Sequence, residues 1–195
     1  EFTGSTDSME GLTLNGLRTV LFLQLPTPDQ INEHFPNIDC FGVAGVSRQM
    51  NVAEMEQDLR PLLENLKMFQ TPVVHYKTCS TFDSSPEVGS IGKVIDMGKE
   101  IFTSQKFIPL IVGVPTLKRY TLFGNLFVTV DDETYRLDRH PTMSRHPITP
   151  MNEADLRLHL KKQTDSKIGL MDIVDLSGEM EEVKERFERR LQENP

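Results

Sequence analysis

Pro72-Val73-Val74-His75-Tyr76-Lys77-Thr78-Cys79-Ser80-Thr81-Phe82-Asp83-Ser84-Ser85 passes from an apolar, β-prone run into a polar loop. Ile91, Val94, Ile95, Met97 and Ile101 then follow at helical spacing from Ser90. A strand that ends in a polar loop and feeds a helix is the repeating unit of an α/β domain. The loop releases a Lys, several hydroxyls and a carboxylate at one strand end, ahead of Gly89 and Gly92. Such a set suits an anionic, hydroxylated ligand: Lys77 supplies a point charge, hydroxyls donate and accept, and a helix N-terminus adds backbone N–H groups. The same residue types cap helices, so an ordinary strand-to-helix connection also fits.

Upstream, Thr3-Gly4-Ser5-Thr6-Asp7 reads as a loop before a first helix carrying Met9, Leu12, Leu14 and Leu17 and closed by Gly16. Arg18 to Gln24 is a continuous apolar run of the kind found in parallel sheets. Pro26 and Pro28 end it and open a short helix to about Phe35. Ile38 to Val46 then predicts a second strand that releases Ser47-Arg48-Gln49, and Asn51 caps a helix carrying Val52, Met55, Leu59, Leu62, Leu63, Leu66 and Phe69, with Pro61 as a kink. Pro72 to Tyr76 is the third strand expected and Phe107 to Val114, closed by Pro115, the fourth. The predicted fold class is α/β: a mostly parallel sheet with helices on both faces and right-handed crossovers. Ligands of such sheets bind beyond the carboxyl ends of the strands. Arg48, Lys77 and the stretch after Val114 are all expected at that edge.

The pattern then changes. Tyr120 to Val130 and Glu133 to Leu137, joined at Asp131-Asp132, predict an inserted β-hairpin, with Gly124-Asn125 as a second turn or bulge. Asp138 to Met151 is a long loop with three prolines, and loops of that length usually bind something. Leu156, Leu158 and Leu160 begin a helix, Lys167 to Leu176 reads as a strand, and Ser177 is the expected cap of a final charged helix to about Leu191.

The 195 residues, 37% of them apolar, suffice for a buried core, and the net charge of −8 disfavours a nucleic-acid backbone or an anionic membrane as partner. No apolar run approaches the ~20 residues of a membrane span, so a cytoplasmic location is the default expectation. Cys40 and Cys79 have no metal-type spacing. The chain opens at Glu1 without an initiator Met and stops at Pro195 where an α/β pattern would feed another strand, so it is expected to be part of something longer.

No Gly-x-x-x-x-Gly-Lys or Gly-x-Gly-x-x-Gly stretch appears, so no known local motif binds a nucleotide. Asp138, His140 and His146 contain metal-ligand types, but Arg139 and Arg145 among them oppose a cation; the expectation is no metal site, with the histidines as loop anchors. Cys79 could act as a nucleophile beside Lys77, or be an inert thiol at a pocket edge. Asp7 could accept a substrate hydroxyl or serve as a carboxylate near a helix N-terminus. Arg48 and Arg119 could each grip a carboxylate, or be surface arginines.

Three stretches carry a resemblance. Phe2-Thr3-Gly4-Ser5-Thr6-Asp7 resembles the N-terminal signature Asp-Asp-x-Thr-Gly-Ala-x-Asp of the four-carbon acid sugar kinases. Tyr76 to Gly92 looks like their central motif in one subgroup, and Arg136 to Met151 is similar to that subgroup's long loop. The resemblance implies ATP-dependent phosphorylation of the terminal hydroxyl of a threonate, erythronate or oxo-tetronate type acid. It further implies that residues 1–195 are the acid-sugar-binding N-terminal domain, incomplete at both ends, while ATP and Mg2+ are bound mainly by a C-terminal domain that this chain lacks. Asp7, Arg48, Lys77, Cys79, Ser80, Thr81 and Arg119 are the substrate contacts it implies, Arg48 and Lys77 at the carboxylate, with Asp83 or Asp7 as catalytic carboxylate. The implied partner is a small acid sugar, with no nucleic acid and no membrane, and a homodimer is allowed. The sequence departs from the family pattern in three places. Cys79 and Asp83 stand where many members carry Asp and Arg, Glu1 stands at the end of the acidic pair, and Lys118 precedes Arg119 where Gly-Arg is common. The alternative class is a non-catalytic binding or sensor module for small hydroxy acids, and a metal-dependent hydrolase built on Asp138, His140 and His146 comes third.

Overall fold

The computed structural model describes residues 2–193; Glu1 and Pro195, which carried expectations about the ends of the chain, lie outside them. Two compact units meet in sequence between Cys79 and Ser80, inside the polar loop.

The first unit begins with helix α1 (Phe2–Leu14). Residues 3–7 are therefore helical rather than the expected loop. Gly16, at φ 91°, ends this helix: its N–H bonds Thr13 O (2.9 Å) while Leu17 N–H reaches back to Leu12 O (3.1 Å), a left-handed C-terminal cap. Strand β1 (Thr19–Phe22) pairs in parallel with β2 (Cys40–Val43), from Thr19↔Cys40 to Phe22↔Val43. Helix α2 (Pro28–His34) lies between them in sequence, opened by a Thr27/Gln30 capping box. Close approach of α1 explains Gly42, where a Cβ would come 2.9 Å from Met9 Sδ. Phe22 meets Phe35 and Phe41 edge-on at 5.6 and 6.1 Å, and Phe41 meets Phe69 at 5.0 Å. Arg18 forks Asp39 through Nε and Nη2, which holds that carboxyl well below its ordinary range.

Asn51 caps α3 (Val52–Glu54) through a capping box with Glu54. A π turn (Met55–Leu59) leads into α4 (Arg60–Met68). Pro61 has no N–H for an α-type bond to the preceding turn, and the wider turn ahead of it absorbs the mismatch. The expected kink is thus a π insertion.

The second unit holds α5 (Ile91–Ile101), capped by Ser90 Oγ on Lys93 N–H at 3.1 Å. A meander follows, β3 (Arg119–Leu122), β4 (Asn125–Val130) and β5 (Glu133–Arg136), all antiparallel. Its turns are as tight as they can be: Phe123 and Gly124 (φ 50° and 82°) and Asp131 and Asp132 (φ 48° and 65°) take the left-handed conformations that match strand twist. Helix α6 (Leu156–Leu160) follows, attached by Leu126 N–H to Ala154 O and Leu156 N–H to Gly124 O, each 2.9 Å. The core gathers Phe82, Ile91, Leu126, Val128, Leu137, Met151 and Leu160. Helix α7 (Met180–Glu193) ends the described chain, with Arg190 on the Asp175 carboxylate.

The mixed α/β class holds, but the sheet is not the one expected. Parallel pairing among the described residues is confined to β1 and β2, and the three-stranded sheet is antiparallel. Residues 72–76 and 107–114 join neither sheet, apart from one bridge from Val114 to Arg119. Pro72 and Pro109 remove ladder donors from these runs, and Val73 and Ile111 are among their exposed side chains. Residues 167–176 are not a strand either. The Asp172 carboxylate accepts from Val174 N–H and Asp175 N–H (2.8 and 3.0 Å) and folds the segment into a turn. Ser177 does not cap α7, because its hydroxyl donates to Val174 O at 2.7 Å.

Candidate functional site

In the first unit, Arg48 sits half-buried on a 3-10 turn (Ser47–Gln49) a few residues beyond the carboxyl end of β2. Ser47 Oγ and the buried Tyr76 hydroxyl lie 2.7 Å apart. Burial pushes the Tyr76 phenol up, so that bond joins two neutral groups. It ties together the chain neighbours of Arg48 and Lys77. Lys77 then lies across the first turns of α1. A Cβ on Gly4 would sit 2.8 and 2.9 Å from Lys77 Cδ and Cε. The glycine of the N-terminal signature is thus the opening through which Lys77 passes over the helix. Asp7, three residues on, shares that helix face and is exposed. It lies within α1 rather than at its start, which corrects the helix N-terminal alternative. Cys79 is half-buried.

In the second unit, Phe82 is fully buried at φ 56°, and this left-handed residue turns the chain between Thr81 and Asp83. Ser80 and Thr81 are half-buried. The Asp83 carboxylate is buried, with Thr81 Oγ1 donating to Oδ1 (2.6 Å) and Thr149 Oγ1 to Oδ2 (3.3 Å). His146 Nδ1 accepts from Thr149 N–H at 3.1 Å, which fixes that threonine. Beside it, Ser84 Oγ, His159 Nε2 and Gln163 Nε2 lie within 2.8 to 3.1 Å of one another. Gln163 Oε1 accepts from Gly92 N–H at 3.2 Å. Burial, and then Lys162, pull the His159 pKa down and keep the ring neutral. A cavity of about 270 Å³ opens against this network, with Ser84, Ser85, Glu87, Thr149, Asn152, Lys162 and Gln163 among its polar walls. Hydroxyls, amides, one carboxylate and one ammonium around such a space can hold a small hydroxylated ligand.

Arg119 starts β3. Lys118 before it stands at φ 54°, the left-handed region that explains why a Gly-Arg pair is common there. A non-glycine residue in that conformation costs about 1 kcal/mol, and Lys118 Nζ bonds Asp132 Oδ1 at 2.9 Å. Arg119 Nη1 donates to Leu117 O. Its Nε and the Thr121 hydroxyl oxygen are both buried with no hydrogen-bond partner among the described residues. An unpaired buried polar group costs about 1–3 kcal/mol.

Asp138, His140 and His146, the residues of metal-ligand type, have other partners. Asp138 forks Arg136, whose guanidinium lowers its pKa, and His140 Nδ1 accepts from Thr142 and Met143 N–H at 3.1 Å each. No group of three potential ligand side chains gathers among the described residues. Sequence reasoning missed Thr149, His159, Gln163 and Thr121. Thr149 lies in the long loop of the resemblance but was not singled out; His159, Gln163 and Thr121 belong to none of the three stretches, and the hint for two of them is polar residues at the apolar spacing of a helix, Leu156, His159, Gln163.

The described residues thus form a mixed α/β fold in which loops deliver most of the polar side chains. All of residues 1–195 match the family described as the sugar-binding N-terminal domain. The chain belongs to that family, within the four-carbon acid sugar kinases. It is 54% identical over 178 residues, 91% of its length, to a 3-oxo-isoapionate kinase of Paraburkholderia graminis, of which it covers 37%. It is 33% identical over 188 residues to a 3-oxo-tetronate kinase of Haemophilus influenzae, covering 96% of this chain and 43% of the relative. The crystal structure of Haemophilus influenzae protein HI1011 superposes with a TM-score of 0.84 at 30% identity, over 100% of this chain and 44% of the other. The chain therefore spans about two fifths of the length of these relatives. No described helix is long and apolar enough to cross a membrane.

Proposed function

We propose that the chain is the acid-sugar-binding part of a kinase that transfers phosphate from ATP to the terminal hydroxyl of a small sugar acid of the 3-oxo-tetronate or 3-oxo-isoapionate type. The observation that carries this is the 54% identity to a 3-oxo-isoapionate kinase across nine tenths of the chain. On the first unit, the substrate contacts assigned are Asp7, Arg48, Lys77 and Cys79; on the second, Ser80, Thr81 and Arg119. Arg48 and Lys77 are cations suited to an anionic group, and Ser80 and Thr81 are hydroxyls suited to donate to substrate oxygens. Exposed Asp7 is the carboxylate open to a substrate hydroxyl and is assigned as the group that orients it. Buried Asp83 acts one step back, holding the hydroxyls of Thr81 and Thr149 in place. Phosphoryl transfer gains mostly from such positioning and from charge stabilisation. ATP supplies the phosphoryl group and Mg2+ neutralises its charge. By the family resemblance, both are assigned mainly to a C-terminal domain outside these residues.

The test is a coupled ADP-release assay on the full-length enzyme with threonate, erythronate, 3-oxo-tetronate and 3-oxo-isoapionate. Turnover of one of these, with KM raised at least tenfold by Arg48→Ala, supports the reading. Turnover of none of them contradicts it, and an unchanged KM removes Arg48 from the site.

A further inference from the structure

The cavity of about 270 Å³ lies wholly within the second unit, walled by residues 84–87, 148–152 and 159–163. Buried hydrogen bonds pin these stretches to one another. Gln163 Nε2 donates to Ser84 Oγ at 2.8 Å, and Thr149 Oγ1 to Asp83 Oδ2 at 3.3 Å. Ser85 Oγ accepts from Glu87 N–H and Val88 N–H at 3.1 and 2.9 Å, a turn that fixes the backbone of Glu87. Met151 is fully buried and donates its N–H to Met143 O at 2.9 Å, which anchors Asn152 beside it. The walls are thus held in place by the fold, as in most small-molecule pockets.

The mouth of the cavity is built differently. Glu87, Asn152 and Lys162 line it and are exposed. Their side chains make no hydrogen bond or ion pair among the described residues, so Glu87 and Lys162 do not pair with each other. One ammonium matches one negative charge; a phosphate would meet too little positive charge beside Glu87. A carboxylate only accepts, so Glu87 suits ligand O–H groups, and the Asn152 amide both donates and accepts. An amino acid would balance the same two charges, but its ammonium brings three donors to one carboxylate, while the remaining polar walls are hydroxyls and amides, the partners of a polyol. The space lies just below the ~300–1,000 Å³ of drug-sized pockets, which limits the occupant to a small molecule.

We propose that this cavity seats the sugar acid, with its carboxylate on Lys162 and its hydroxyls on Glu87 and Asn152. The assignment rests on the reading of this chain as a sugar-acid-binding domain and adds these residues to its contacts. Thr149 lines the cavity and donates to Asp83, so the buried carboxylate orients a hydroxyl that the substrate meets.

The experiment is a titration of 15N-labelled protein with threonate, erythronate, 3-oxo-tetronate and 3-oxo-isoapionate in turn, with threitol and L-threonine as controls. The acid that binds should move the backbone amide resonances of Glu87, Val88, Asn152 and Gln163. Lys162→Met removes an exposed charge and should weaken that acid at least tenfold; Glu87→Gln should weaken it several-fold. The resonances of the parent protein decide the matter even if a variant fails to fold. An acid that binds while these resonances stay put, or that binds folded Lys162→Met equally well, overturns the cavity as its seat and leaves the sugar-acid reading standing. L-Threonine that binds as tightly as the acid overturns the assignment of Glu87 to hydroxyls. Binding of none of the four acids overturns both the seat and the sugar-acid reading.

Discussion

Helix α5 contains two glycines with opposite surroundings, and substituting each by alanine separates packing from helix propensity. At Gly98 an added Cβ would meet only Ile108 Cδ1, at an ordinary 3.5 Å. There Gly98→Ala should stabilise by about 0.5–1 kcal/mol, the usual helical preference for alanine. At Gly92 the same atom would lie 2.5 Å from the Gln163 carbonyl carbon, a backbone atom that cannot swing away. Relief requires the helix to move from residue 163, which strains packing by about 1–3 kcal/mol. It also stretches the Gly92 N–H bond to Gln163 Oε1, worth about 1 kcal/mol. Against a propensity gain of up to about 1 kcal/mol, Gly92→Ala should destabilise by about 1–3 kcal/mol. Urea unfolding followed by circular dichroism measures both variants at unchanged m-value. A Gly92→Ala protein as stable as its parent would refute the close helix contact, and with it the anchoring of Gln163 beside Ser84 and His159.

Three further outcomes are expected. His140 and His159 are both held neutral by burial, so their folded pKa values lie below the unfolded value of about 6.5; the unfolded chain takes up protons first, and stability should be complete above that pH and fall as pH drops from it through the lowered folded values, as read by thermal unfolding between pH 7.5 and 5. Asp83→Asn should lower kcat of the full-length enzyme on the order of 100-fold, because an amide cannot accept from both the Thr81 and Thr149 hydroxyls; equal activity would show that the buried carboxylate positions nothing. Gly4→Ala should leave stability equal or up to about 1 kcal/mol higher while raising KM for the sugar acid, since its Cβ displaces the Lys77 side chain; an unchanged KM in steady-state kinetics would take Lys77 out of the site.

Local chemistry was readable in the chain, and non-local pairing was not. The cap at Asn51, the helix opening at Ser90 and the turn at Asp131-Asp132 depend on residues within a few positions of one another, and the structure places each where the sequence does. Residues 72–76 and 107–114 have strand composition, but a ladder requires a partner, and propensity carries no information about one. The segment 167–176 is no strand for a local reason, the turn made by Asp172. Residues 3–7 looked like a loop because Gly, Ser and Thr favour turns, whereas contacts such as Lys77 across Gly4 accompany a helix there. At the site the same division appears. Lys77, Thr81 and Asp83 lie in one visible motif, but Asp83 meets Thr149 across 66 positions and Ser84 meets Gln163 across 79. Arg119 was visible as a candidate; that its Nε is buried with no acceptor among the described residues became visible only in the folded hairpin.

Isothermal titration of the protein with the same four acids, against threitol, tests the central claim most directly. Saturable one-to-one binding of an acid, lost in Lys77→Ala and absent for the neutral polyol, is the predicted result. Heat of dilution alone for every acid, or equal binding of threitol, would contradict a domain built to recognise the acid.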